Sequence, residues 1–160
     1  MWADTPQPLR ALRMAQSTIS MIAIATIIVT TVADVALRYS VGRPIRGSYD
    51  AVECLMVLFV FHGLAAVFID RAHIVIDLVD HLVTRRMQRG LVMFGDVAGV
   101  LALGLMAWAM VDPAMQAYAY GDRKLELGIK LWVVWVFALS GIAGAILCAI
   151  GVTLTWPKHG

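Results

Sequence analysis

The chain has 160 residues, of which 61% are hydrophobic and 15% charged, with a mean hydropathy of +0.80 and a formal net charge of +2. Soluble domains are about 45–50% apolar and about 25% charged, so this balance excludes an ordinary water-soluble globule and a disordered chain and points to the bilayer. At about 20 residues per crossing, the length holds about four helices with short loops and leaves no room for a soluble catalytic domain, and so small a net charge gives no ground for a nucleic-acid partner.

The first apolar run covers residues 17–37, with Asp34 its only charge. Arg10 and Arg13 precede it, as in a signal peptide. The uncharged stretch 19–33 is long for a signal core, however, and no small-x-small cleavage site follows promptly, so a retained helix is expected. Asp34 and Arg38 stand four apart and face each other on one helix. Two readings are open: a local ion pair at the membrane edge, or a contact with a partner protein.

The second run is 51–69. Ser48 is placed to cap it, and Asp50 and Glu53 complement the positive end of its dipole. His62 is the one histidine deep in a crossing. A bis-histidine haem needs two facing ligands, so a hydrogen bond from His62 to a neighbouring helix is expected instead.

The stretch that follows has a different period. Ile74, Val75, Leu78, Val79, Leu82 and Val83 fall on one side of a helix, and His73, Asp77, Asp80, His81 and Thr84 on the other. Arg85, Arg86 and Arg89 close it with positive charge. The pattern predicts an amphipathic helix over about 73–86 lying in the membrane interface.

The third run, 91–111, contains Asp96, and Pro113 either ends this helix or kinks it. The fourth, 131–155, carries no charge, and Trp132, Trp135 and Trp156 sit near its ends, where aromatic belts are expected. Gly95-x-x-x-Gly99 and Ser140-x-x-x-Gly144 permit close helix approach. Cys54 and Cys148 lie inside apolar runs and read as buried thiols, not as a disulfide or a zinc site.

Charge barely fixes the topology. With the N-terminus inside, Arg10, Arg13, Arg71, Arg85, Arg86, Arg89 and Lys158 are cytoplasmic, and Arg38, Arg43, Arg46, Arg123, Lys124 and Lys130 are outside. Placing the arginine cluster of 85–89 on an anionic inner leaflet favours that orientation. No catalytic pair, metal-ligand cluster or cofactor-binding loop is present in the sequence. Two isolated acids, Glu53 and Asp96, do not make an ion pathway. The expectation is a single all-α membrane domain over 1–160: four transmembrane helices plus the interfacial helix between the second and third, acting as a scaffold or accessory subunit.

One ordered set of short motifs goes further. It consists of Arg38-Tyr39, Gly42-Arg43-Pro44, Gly47-Ser48 leading to Glu53, and, after a small and apolar run, His73-Ile74-x-x-Asp77. Leu127-Gly128-Ile129-x-Leu131-Trp132 opens the last run. With these features the chain resembles, along nearly its whole length, the DctQ-like small membrane subunit of the tripartite ATP-independent periplasmic (TRAP) transporters. The resemblance implies a bacterial inner-membrane protein with both termini cytoplasmic. It implies pairing with a larger membrane subunit that carries the substrate and sodium sites. It also implies a periplasmic binding protein that delivers an organic acid. The small subunit itself would not transport. It would steady the scaffold against which the large subunit moves as an elevator, and would help to dock the binding protein. Asp34, Arg38, Tyr39, Arg43, Glu53, His73 and Asp77 are the expected structural or partner-contact residues. The competing classes are a membrane anchor of a redox enzyme and a small exporter working as a homo-oligomer.

Overall fold

The computed structural model describes residues 7–69 and 85–154. The expected interfacial helix over 73–86, with His73 and Asp77, therefore lies almost wholly outside the described residues, as does Trp156.

The described chain is helical: α1 Gln7–Val41, α2 Ser48–Ile69, α3 Arg85–Tyr120 and α4 Leu131–Leu154. All four are long and apolar enough to cross a membrane. α1 and α3 have 35 and 36 residues. At 1.5 Å per residue each rises roughly 50 Å, well beyond a hydrocarbon core of about 30 Å. Both outrun the apolar stretches 17–37 and 91–111, because a helix continues wherever its backbone bonds can, whether lipid or headgroups surround it.

Pro113 does not end α3, which continues to Tyr120. The stop is made by Gly121, at φ +67°. The Gly121 N–H donates to the Tyr118 carbonyl and the Asp122 N–H to the Ala117 carbonyl, both at 3.3 Å. This is a Schellman closure, which needs the left-handed residue that glycine supplies without a Cβ penalty.

α4 is the centre of the bundle. α2 packs along it and α3 against it, while α1 packs on α2 and meets α4 more briefly. The core is built of small groups: Ala138, Ile142, Ala145, Cys148 and Ala149 of α4 with Ala65, Leu103 and Met110. Gly141, Gly144 and Gly151 form an adjacent stripe on α4. A Cβ on Gly141 would sit 2.8 Å from the Phe61 carbonyl carbon of α2. One on Gly144 would strike the Gln16 amide of α1, and one on Gly151 the Leu9 side chain. Without a hydrophobic drive between helices in lipid, the backbone contact at Gly141 and the side chains seated on Gly144 and Gly151 are the close packing that holds them. Of the two expected small-residue pairs, each supplies one contact. Gly99 meets the Phe68 ring and Gly144 meets Gln16, while Gly95 is open and Ser140 is exposed, donating to its own helix at Phe137.

Two polar residues of α1, Ser20 inside the apolar run and Gln16 just before it, are buried against these helices. Ser20 Oγ donates to the Phe59 carbonyl at 3.0 Å, and Gln16 Nε2 to the Gly141 carbonyl at 3.3 Å. The Gln16 Oε1 atom is buried without a hydrogen-bond partner among the described residues. Intramembrane bonds of this kind average about 0.6 kcal/mol, and the orphaned oxygen offsets part of that. Gln16→Met, which keeps the straight chain, should change stability by less than about 1 kcal/mol. A thermal melt of the detergent-solubilised protein checks it. His62 is buried too, but its Nδ1 lies 3.1 Å from the Leu58 carbonyl of its own helix, not of a neighbour. The i−4 carbonyl is simply the nearest polar atom to an imidazole on a helix. Both thiols are free; Cys148 is buried as expected and Cys54 only partly.

Candidate partner interface at the loop end

α1 ends where α2 begins, and α3 ends where α4 begins. Loops 42–47 and 121–130 therefore meet at one end of the bundle. Most of the strong polar interactions among the described residues gather here.

Asp34, buried near the end of α1, organises the first loop. Its Oδ2 takes the Arg38 guanidinium at 2.9 Å. Its Oδ1 accepts the Ile45 N–H at 2.7 Å and the Ser48 hydroxyl at 3.0 Å. The i,i+4 ion pair expected from the sequence is thus present, and the same carboxylate also folds the loop back onto α1. Ser48 is not the expected cap: it is the first helical residue, and Gly47, whose carbonyl accepts the Ala51 N–H at 2.9 Å, stands at the cap position.

Asp50, also buried, ties the second loop to α2. Its Oδ2 accepts the backbone N–H of Glu126 at 2.9 Å and of Leu127 at 3.2 Å. Glu126 Oε2 reaches back to the Gly47 N–H at 2.7 Å. Glu53 pairs with Lys124, and that bond raises the Lys124 ammonium above its ordinary value, so it stays charged. Within the second loop, the Lys124 N–H donates to the Ile129 carbonyl and the Gly128 N–H to the Lys124 carbonyl, both at 2.9 Å. Arg123 and Lys130 form an antiparallel bridge. Asp34, Asp50, Glu53 and Glu126 are therefore each spent on a named donor in a neighbouring segment.

Gly47 is the seam between the loops. Its φ is +79°, and Leu127 packs where its Cβ would be. Gly47→Ala should cost about 1–2 kcal/mol from the left-handed backbone alone. Displacement of Leu127 adds to that. Loss of melting temperature without loss of helix content is the expected reading.

Of the expected site residues, Asp34, Arg38 and Glu53 are brought into this network. Tyr39 and Arg43 are exposed and stand outside it. His73 and Asp77 lie outside the described residues. Beside the loops, Tyr118 meets Trp132 edge-on, with ring centroids 5.9 Å apart at 80°, joining α3 to α4.

Residues 27–156 match the family described as tripartite ATP-independent periplasmic transporters, DctQ component. The chain belongs to the DctQ family. It is thus a membrane protein and a transporter component. No curated protein matches it. The matched span contains the whole loop-end network of this DctQ subunit. Lys124, Glu126 and Leu127 of that network were not singled out from the sequence as partners of α2. Nothing local marks them, because their partners stand far earlier in the chain: Asp50 lies 76 positions before Glu126 and 77 before Leu127, and Lys124 pairs with Glu53 of the same helix.

Proposed function

We propose that this chain is the scaffold subunit of a sodium-coupled TRAP importer of an organic acid, and that it does not itself carry the substrate. It forms one membrane domain in a bacterial inner membrane, with both termini cytoplasmic and the loop end periplasmic. A large membrane subunit carries the substrate and sodium sites and moves against it. A periplasmic binding protein delivers the solute. The amphipathic segment over 73–86 lies in the inner interface and resists vertical displacement. Asp34, Arg38 and Glu53 keep the periplasmic end rigid. Tyr39 and Arg43 face the partners, and His73 and Asp77 anchor the interfacial segment.

One observation beyond the family membership carries this reading: the loop-end carboxylates are consumed in joining helices. A network spent on its own backbone suits a static body. A transport site needs groups that can release one partner for another.

Reconstitution tests it. Uptake into proteoliposomes should require this chain, the large subunit and the binding protein together, with a sodium gradient. Flux of the solute through vesicles holding this chain alone would refute the scaffold reading.

A further inference from the structure

α3 buries Leu103, Met110 and Ala117 against the bundle, a set that recurs every two turns of one face. The opposite face carries Leu101, Leu105, Trp108 and Asp112, and all four are exposed. Gln116 continues this outer stripe by one turn, and its Nε2 donates to Asp112 Oδ2 at 2.9 Å. Asp112 makes no ion pair with a described residue.

Asp112 lies deep in the span. α3 and α4 run antiparallel, and Tyr118 stands beside Trp132. Asp112 precedes Tyr118 by six residues, so it is level with a point six residues past Trp132, at Ala138. α4 carries no charge, so its middle, between Ile142 and Ala143, marks the bilayer midplane. At 1.5 Å per residue Asp112 is about 7 Å from that plane, whereas the hydrocarbon reaches roughly 15 Å to either side.

A carboxylate at this depth is costly, and such groups are found facing a bundle interior, a wet cavity or a partner. This one faces away from its own bundle, in a stripe that is otherwise leucine and tryptophan. Acyl chains offer it no donor, and one amide from Gln116 does not balance a full charge. A second copy of this chain does not complete it either. A two-fold contact through this face, with its axis along the membrane normal, sets Asp112 against Asp112. What the site lacks is a cation on a different chain. Beside it, an apolar groove of about 370 Å³ lies between Val111 and Met115 of α3 and Trp132, Trp135 and Leu139 of α4. A helix whose cation reaches Asp112 can lay apolar side chains there.

We infer that the outer face of α3, centred on Asp112, seats a spanning helix of a larger membrane partner, and that an arginine or lysine of that helix pairs with Asp112 inside the bilayer. This rests on the TRAP reading, in which the partner is the large membrane subunit, and adds to it the face and the residue that are used.

The experiment co-purifies this chain with a tagged large subunit from membranes in mild detergent. Asp112→Leu and Asp112→Asn should each lower the amount of this chain retained about tenfold or more, because the partner's cation is then left unpaired. Asp112→Glu, which keeps the charge, should retain the complex. The melting temperature of the isolated chain should not fall in any of the three, because Asp112 bonds only Gln116 among the described residues. p-Benzoylphenylalanine in place of Leu105 should crosslink to the large subunit in native membranes.

Wild-type retention in Asp112→Leu, with uptake still requiring this chain, overturns the inference and leaves the TRAP reading standing. Wild-type retention in Asp112→Asn overturns the charge pair on which the inference stands. Crosslinking from position 105 to lipid alone, or to a second copy of this chain, overturns it by naming another occupant. A melting temperature that falls along with retention overturns it too, by making Asp112 a residue of the fold. Uptake by the large subunit and binding protein without this chain removes the TRAP reading itself, and the inference with it.

Discussion

Gly141→Leu is expected to abolish the packed bundle. The atoms that a side chain at this position would strike are the carbonyl carbon, Cβ and carbonyl oxygen of Phe61, at 2.8 to 2.9 Å. Two of the three are backbone, and backbone of a spanning helix cannot rotate away. α2 must instead separate from α4 along its length, opening the contact between Phe61, Ala65 and the Ala138–Ile142–Ala145 face. Overpacking a well-filled core costs about 1–3 kcal/mol even for small additions, and a leucine adds four carbons. Gly141→Ala should therefore fall near about 1–3 kcal/mol, and Gly141→Leu should fail to give a monodisperse protein. Gly144 is the control. Its nearest neighbour is the end of the Gln16 side chain, which can swing aside. Gly144→Ala should be tolerated far better than Gly141→Ala, and equal melting temperatures for the two would mean that α2 and α4 are not in backbone contact.

The second large effect is expected at Asp50. Removing its carboxylate leaves the Glu126 and Leu127 N–H groups without the acceptor that joins loop 121–130 to α2. Hydrogen bonds to a charged acceptor contribute about 1.5–3 kcal/mol, and partial access of water to the exposed loop reduces the loss on deletion. Asp50→Ala should destabilise by about 1–3 kcal/mol. Both N–H groups use one oxygen, Oδ2, so the asparagine carbonyl can replace it. Asp50→Asn should retain most of the stability, and a full loss there would mean that charge, not acceptor geometry, holds the loop. Glu53→Gln breaks only the half-exposed pair with Lys124 and should cost under about 1 kcal/mol. Urea or thermal melts of the three variants, with limited proteolysis of the loop, give the order directly.

The residues involved show why some of this was readable in advance. The four spans are local properties. Each crossing must satisfy its own backbone bonds within one apolar run, so runs such as 51–69 and 131–155 announce helices without knowledge of any neighbour. The Asp34–Arg38 pair is legible for the same reason, because four positions on a helix bring two side chains together whatever else the chain does. The ordered motifs from Arg38 to Asp77 led to the DctQ family, and the match over 27–156 agrees.

The ends of the elements were less legible. Pro113 is tolerated inside α3, and the stop at Gly121 depends on a left-handed residue placed just past Tyr120. The apolar periodicity carries no information about such a cap.

What only the tertiary structure decided is which helix ends lie side by side. Asp34 could be seen to pair with Arg38, but not to hold Ile45 and Ser48 as well. Asp50 and Glu53 read as complements to a helix dipole, yet their donors stand on the loop between α3 and α4. Ser20 vanishes in the hydropathy of its run and Gln16 stands just before it, yet they become the polar contacts of α1 with α2 and α4. Hydropathy records that a helix enters the membrane and says nothing of its angle around the axis or its neighbours. Those follow from where small residues such as Gly141 let two backbones approach, and that is a property of pairs distant in the chain.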